Sequence, residues 1–220
     1  MTRTTIARLS RWAILPAVAG IGLTLGAGAT TAEAATYYCN GYKATIVGTN
    51  GNDRLVGTNG RDVIVGLGGH DEINGRGGND VICGGSGNDE IEGGSGNDYI
   101  NGGSGHDEID GDSGNDRLYG SSGNDEIDGD SGNDRIYGNS GHDDLEGSSG
   151  NDYVHGGSGN DHVEGESGRD RVYGSSGHDL VEGGTGSDRV SGGSGSDIVR
   201  QRYASEREED RWEDRYRDDD

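Results

Sequence analysis

The chain has 220 residues, of which 47 are Gly, one is Pro and only 27% are hydrophobic, and its formal net charge is −23. So few apolar residues exclude an ordinary globular domain, because apolar burial must offset the conformational entropy that a folding chain loses. The strong negative charge argues against nucleic acid as a partner and favours cations.

Residues 1–34 have the pattern of a secretory signal peptide. Three arginines precede an apolar run that begins at Trp12, and Ala32-Glu33-Ala34 matches a cleavage site. We expect cleavage after Ala34 or Ala35 and a secreted, extracellular mature chain. Without three Arg and Glu33, its 15 basic and 40 acidic residues give a net charge of −25. The alternative is an uncleaved membrane anchor, which Pro16 and the many glycines of this run disfavour.

Residues 35–47 are predicted to be an N-terminal cap on the segment that follows. Thr45-Ile46-Val47 fits the strand frame of that segment as a copy zero. Cys39 and Cys83 are the only cysteines, and an even number in an exported chain suggests a disulfide. A Cys39–Cys83 bond would attach the cap to the segment. Free or intermolecular thiols are the alternative.

A nine-residue unit occupies residues 48–200 in 17 copies without an insertion. Positions 1 and 4 are always Gly, position 6 is always Asp, and position 8 is always Leu, Ile or Val. Glycine permits positive φ, so positions 1–6 predict a turn. An aliphatic residue between two variable ones predicts a three-residue strand at positions 7–9. Strands this short are stable only when stacked, which predicts a solenoid.

The outward strand residues alternate in character from copy to copy. Counted from Gly48, odd copies carry acidic strands such as Glu108-Ile109-Asp110, and even copies carry Arg/Tyr strands such as Arg117-Leu118-Tyr119. One coil therefore contains two copies, with an acidic face on one sheet and an Arg/Tyr face on the other. The 17 copies predict about 8.5 coils and a rod about 40 Å long.

The aspartates at position 6 are the candidate metal ligands. Stacking in register would place them about 5 Å apart, where like charges repel. Asx-turns that only satisfy backbone amides are the alternative. Seventeen copies in a chain with so little apolar surface favour a hard cation with oxygen ligands, Ca²⁺, over softer metals. The candidates are Asp53, Asp62, Asp71, Asp80, Asp89, Asp98, Asp107, Asp116, Asp125, Asp134, Asp143, Asp152, Asp161, Asp170, Asp179, Asp188 and Asp197.

Two further groups of side chains leave alternatives open. Histidines recur every 36 residues at position 5, which indicates either a second metal site or the duplication of a four-copy block; a spacing of about 10 Å favours duplication. The Arg/Tyr face either binds a partner, namely a glycan or the acidic face of a neighbour, or is a solvated sheet surface. The four histidines are His70, His106, His142 and His178.

The charged tail, residues 201–220, completes the chain. Trp212 and Tyr216 lie one helical turn apart among mixed charges, so the tail is predicted to be either a short capping helix or solvated.

The repeat unit resembles G-G-x-G-x-D-x-U-x, the RTX or hemolysin-type calcium-binding nonapeptide. This resemblance implies an all-β parallel β-roll, a right-handed β-solenoid with 18 residues per coil. In such a roll, Ca²⁺ ions would lie between turns n and n+2, held by Asp carboxylates and turn carbonyls. The 17 aspartates would then form at most about 15 sites, whose charge of about +30 would offset the −25 of the mature chain. Position 2 is Gly in only six copies, and Arg76 there is expected to weaken a site.

The sequence contains no catalytic constellation, so we predict that the protein is not an enzyme. The first hypothesis is a secreted calcium-binding protein that folds on export. The alternative is a calcium-dependent structural or adhesive surface protein that self-assembles or binds glycan through the Arg/Tyr face. Neither hypothesis includes nucleic acid, or a membrane after signal cleavage.

Overall fold

The computed structural model describes residues 35–201. Internal contacts divide the chain into residues 1–35 and 36–220. The predicted signal peptide, and the tail beyond residue 201, lie outside the described residues. The described part is an all-β solenoid that advances by 18 residues per coil. It contains no helix that is long and apolar enough to cross a membrane.

The strands of the odd copies form a parallel sheet of nine, here called the odd sheet. Each strand spans positions 7–9, as predicted, and pairs in register with the strand 18 residues away; Ile109, for example, lies beside Ile91 and Ile127. The strands are Arg54–Val56, Glu72–Asn74, Glu90–Glu92, Glu108–Asp110, Glu126–Asp128, Asp144–Glu146, His162–Glu164, Leu180–Glu182 and Ile198–Arg200.

The strands of the even copies, with that of copy zero, form a second parallel sheet of nine, here called the even sheet. Most of them have six or seven residues, because they continue through the first positions of the next odd copy. The strands are Ile46–Val47, Val63–Gly68, Val81–Ser86, Tyr99–Ser104, Arg117–Ser122, Arg135–Ser140, Tyr153–Ser158, Arg171–Gly177 and Arg189–Gly195.

The two edges of the solenoid therefore differ, because the first positions of most odd copies, predicted to belong to a turn, continue the strand that precedes them. At position 2 of the even copies after the first, non-glycine residues have φ between 59° and 71°, near the left-handed helical value that turns the chain. At position 2 of the odd copies after the first, the φ of non-glycine residues ranges from 74° to 89°, and strand pairing continues there. Beyond the even-copy turn, positions 3–4 pair as a small third sheet of Ser113–Gly114, Ser131–Gly132, Ser149–Gly150, Ser167–Gly168 and Thr185–Gly186.

The core is one column of aliphatic side chains between the two large sheets. Fourteen of them, from Ile64 to Val181, are at most 2% exposed. Each contributes about 1.5–3 kcal/mol by burial. Fixing the backbone of nine residues costs about 1–2 kcal/mol for each residue. One buried aliphatic side chain per nine residues therefore cannot order a coil by itself.

The cap begins with an antiparallel hairpin, Tyr38–Cys39 with Tyr42–Lys43. Ile46–Val47 then pairs with the first full strand of the even sheet, as predicted for a copy zero. The predicted Cys39–Cys83 disulfide is present, with a Cα–Cα distance of 5.8 Å. Cys39 packs with Val63, Val65 and Val81, so the cap covers the first strands of the even sheet.

Candidate metal centre

The invariant glycines of the turn allow successive coils to approach closely. A Cβ at Gly123, a position 4, would lie 1.4 Å from the carbonyl oxygen of Gly105 in the preceding coil. A Cβ at Gly66, a position 1, would lie 2.4 Å from both the Gly84 carbonyl oxygen and Asp71 Oδ2. No side chain fits either place. The absence of Cβ thus lets carbonyl and carboxylate oxygens gather around one glycine Cα.

The position-6 aspartates connect the coils in two columns, one along each edge of the solenoid. From Asp53 to Asp179, the backbone N–H of each position-6 Asp donates to Oδ1 of the Asp 18 residues later; Asp107 to Asp125, at 3.0 Å, is an example. Fifteen such bonds, with lengths of 2.7–3.2 Å, include all 17 predicted aspartates. The structure therefore brings the predicted ligands together coil by coil.

The second oxygen of most of these carboxylates is buried without a partner. Oδ2 has no hydrogen-bond partner in the fourteen consecutive aspartates from Asp71 to Asp188, all of them at most 8% exposed. An unpaired buried polar atom costs about 1–3 kcal/mol, and more when it is charged. These fourteen oxygens need positive charge or a donor that the described protein atoms do not supply.

Burial also raises the pKa of twelve of these aspartates, from Asp71 to Asp170. Loss of water is the main cause; the backbone N–H bond to each carboxylate lowers the pKa, and neighbouring aspartates raise it again. The pKa reaches about 7 for Asp107, Asp116 and Asp152. It reaches about 6 for Asp98, Asp134, Asp143, Asp161 and Asp170. Carboxylate and carbonyl oxygens around unbalanced negative charge form the donor set that Ca²⁺ prefers.

The family model for the RTX calcium-binding nonapeptide repeat matches residues 47–82, 84–118, 110–145, 137–172, 146–181 and 173–200. The chain belongs to the RTX calcium-binding repeat family. A search of curated proteins found no significant match. The predicted family and the parallel β-roll fold are thus confirmed. This is a family of calcium-binding repeats, and Ca²⁺ is the kind of cation that the donor set of unpaired carboxylate oxygens prefers.

The first two RTX turns differ from the rest. Oδ2 of Asp53 accepts from the N–H of Thr49 at 2.6 Å, and Oδ2 of Asp62 accepts from the N–H of Thr58 at 2.7 Å. Both threonine hydroxyls donate to the same oxygens at 2.9 Å. These two carboxylates are therefore satisfied within their own turns. The Thr at position 2, in place of Gly or another residue, was the sequence signal for this difference.

The four position-5 histidines serve the RTX turns as hydrogen-bond acceptors. His106 Nδ1 accepts the N–H of Asn124 in the next coil at 2.8 Å, and His106 N–H donates to Asn88 Oδ1 at 3.1 Å. The other three accept in the same way. Each ring therefore takes the place of an Asn carboxamide in a column of alternating Asn and His. Sequence reasoning found the spacing and missed this role.

One other cluster of metal-ligating types occurs among the described residues, on the outer face of the odd sheet: His162, Glu164 and Glu182. His162 Nδ1 lies 2.9 Å from an Asp144 oxygen, and Nε2 lies 2.7 Å from a Glu164 oxygen. Glu182 pairs with Arg200. Each member already has a partner, so we assign no metal to this cluster.

Proposed function

We propose that this protein is secreted and that Ca²⁺ orders its RTX β-roll once the chain is outside the cell. The fourteen buried, unpaired Oδ2 atoms carry this proposal. A chain with one buried aliphatic side chain per nine residues and a column of desolvated carboxylates on each edge has too little favourable energy to fold alone. Calcium binding then becomes folding energy.

The calcium concentrations on the two sides of a membrane suit this proposal. Extracellular modules bind Ca²⁺ with Kd of about 10⁻⁴–10⁻³ M, far weaker than cytosolic sites. At such affinities the repeats stay unfolded before export and fold afterwards. Each Oδ1-linked pair of aspartates marks a candidate site, which gives the upper bound of about 15 ions.

Two features of the chain support export. Residues 1–34 have the sequence pattern of a signal peptide. The Cys39–Cys83 disulfide belongs in an oxidising compartment. Mass spectrometry of the protein released by its own cells tests this part of the proposal. A chain that begins at Ala35 or Thr36 is expected, and one that retains Met1–Ala34 would contradict it.

Far-UV circular dichroism of the processed chain during a Ca²⁺ titration tests the calcium-dependent folding, with Mg²⁺ as the matched divalent control. We expect a cooperative change from coil to β-structure with Ca²⁺ only, because Mg²⁺ gives up its waters reluctantly. A spectrum that does not respond to Ca²⁺ would contradict calcium-dependent folding. The aspartates would then serve only to shape the turns.

A separate observation favours the alternative function, a calcium-dependent structural surface protein. The outer face of the even sheet carries a continuous row of aromatic rings between exposed arginines. Whether such a face serves glycan adhesion or self-assembly depends on which parts of the rings are exposed.

A further inference from the structure

The Arg/Tyr face of the even sheet carries cations and no carboxylate. It consists of the outward residues, at positions 7 and 9, of the six strands from Tyr99–Ser104 to Arg189–Gly195, and none of them is Asp or Glu. In a chain of net charge −23 this separation of charge is pronounced. Its four arginines are exposed and form no ion pair with any described residue: Arg117, Arg135, Arg171 and Arg189.

The aromatic rings of this face stack on one another along the sheet. The centroids of Tyr119 and Tyr137 are 5.0 Å apart and their planes differ by 5°. The pairs Tyr99–Tyr119 and Tyr153–Tyr173 are 5.3 Å and 5.5 Å apart at tilts of 40° and 43°. Rings in such a row cover one another's faces. A sugar that stacks on a ring needs a free face, so this geometry disfavours glycan stacking and leaves hydroxyl edges and guanidinium groups available.

The acidic face lies on the odd sheet, on the opposite side of the core. All outward residues of four adjacent strands, Glu90–Glu92 to Asp144–Glu146, are acidic. The negative charges of this face lie close together. Burial, followed by the charges of Asp128 and Asp130, raises the pKa of Asp110 to about 6. Within the described residues, Asp144 is the one member of these strands that has an ion pair, with His162.

The two faces match in pitch as well as in charge. Both are parallel sheets of one solenoid, so the rows of arginines and the rows of carboxylates repeat at the same spacing of about 4.8 Å per strand. A row of Arg117 and Arg135 can meet a row such as Glu108 and Glu126 strand by strand. The N-terminal cap covers the start of the even sheet, which leaves the Arg/Tyr face as its open part.

We infer that the Arg/Tyr face binds the acidic face of a second copy of this chain. Because the two faces lie on opposite sides of one molecule, the contact is heterologous and continues into open lateral stacks. The acidic strands are only three residues long, so the contact is narrow and at the low end of interface sizes, and each contact is weak and depends on salt. The inference rests on the calcium-ordered β-roll of the proposed function and is independent of export.

Sedimentation velocity of the full processed chain in saturating Ca²⁺, over a wide range of protein concentration, tests the inference. The chain is expected to associate beyond a dimer in low salt and to dissociate in high salt. The double variants Arg117→Glu/Arg135→Glu and Glu108→Arg/Glu126→Arg are each expected to stay monomeric, because each brings like charges together. Their mixture is expected to associate as the unmodified chain does, because both contacts are then complementary.

The double variant Arg76→Glu/Arg169→Glu is the matched control. It changes the net charge by the same amount as Arg117→Glu/Arg135→Glu, but at exposed turn positions outside the Arg/Tyr face. It is expected to associate like the unmodified chain. Circular dichroism in Ca²⁺ separates a failure to fold from a failure to associate. Where a charge reversal prevents folding, Arg171→Gln/Arg189→Gln is the milder variant, with association weakened several-fold.

Three outcomes would overturn the inference. The first is a folded chain that remains monomeric at all concentrations in low salt. The second is face-reversed variants that associate as well as the unmodified chain. The third is a monomeric chain that is retained on dextran sulfate through Arg117 and Arg135, which would assign the face to an anionic polysaccharide.

Discussion

Glycine has three different roles in the nine-residue unit. At position 4 the preceding coil occupies the place of a side chain, and at position 1 the carbonyl and carboxylate oxygens do so. At position 2, φ is positive in every copy after the first two, including those with Leu67, Arg76 and Ser121, and a Cβ on each of the six glycines there would lie 2.0–2.3 Å from a carbonyl oxygen of the preceding coil. Each non-glycine residue with positive φ at position 2 therefore costs about 1–2 kcal/mol of conformational free energy.

This difference predicts opposite effects of two neighbouring substitutions. Gly123→Ala is expected to destabilise the calcium-loaded protein by more than about 1 kcal/mol, because the new Cβ would overlap the Gly105 carbonyl. Ser121→Gly, where φ is 83°, is expected to stabilise it by about 1 kcal/mol. Urea denaturation in millimolar Ca²⁺ measures both. If both substitutions change the free energy of unfolding equally, contact between coils does not explain why position 4 is always Gly.

The Asn/His column provides a second test at the residue scale. His106→Asn retains an acceptor for the N–H of Asn124 and is expected to be nearly neutral. His106→Ala removes the acceptor and is expected to cost about 0.5–1.5 kcal/mol. Thermal unfolding in Ca²⁺ compares the two variants. If His106→Asn is as harmful as His106→Ala, the imidazole has a role beyond that of an Asn substitute.

At the scale of the element, the coil depends on the charge of its buried carboxylates. In the calcium-free fold, burial raises the pKa of eight of them, between Asp98 and Asp170, from 3.8 to about 6 or 7. Groups with a raised folded-state pKa favour folding below about pH 4, and this contribution is lost as the pH rises through 6 to 7. We therefore expect more β-structure in EDTA at about pH 4 than at pH 8.

Calcium should reverse this trend, because the ion requires deprotonated carboxylates. Far-UV circular dichroism over the same pH range, once with EDTA and once with Ca²⁺, gives the comparison. A calcium-free spectrum that is the same at both ends of the range would show that the carboxylates do not limit folding.

The cap is the element that begins the stack. The disulfide closes a segment with a sequence separation of 44 and is expected to contribute about 4 kcal/mol through the unfolded state. Hydrogen exchange in the Cys39→Ser/Cys83→Ser variant should rise sharply in the first coils and little near Asp152, because coils contact only their neighbours. Uniform loss of protection along the chain would argue for all-or-none unfolding instead.

For the whole molecule, most of the fold was predictable because the repeat has no insertion. In-register stacking follows from 17 equal units, and the division into acidic and Arg/Tyr sheets follows from the 18-residue alternation. The inequality of the two edges was not predictable, because it depends on φ at position 2, which Gly and non-Gly residues both adopt. The capping of Asp53 and Asp62 by threonine depends on local geometry in the same way.

The two columns of aspartates make the molecule a one-dimensional array, in which position along the stack decides the effect of a lost carboxylate. Asp125→Asn/Asp134→Asn removes adjacent charges from both edges near the middle and retains an amide oxygen for the backbone N–H bond. It should divide the array into two shorter ones, raise the Ca²⁺ concentration at the folding midpoint and make the transition less steep.

Asp53→Asn/Asp62→Asn is the matched control at the end of the same array. There the second carboxylate oxygen already accepts bonds from Thr49 or Thr58, and one side has no neighbouring turn. Its Ca²⁺ titration, followed by circular dichroism, should stay close to that of the unmodified chain. Equal shifts for the central and terminal variants would mean that the coils bind Ca²⁺ independently, and the buried carboxylates would then stabilise single turns without coupling one coil to the next.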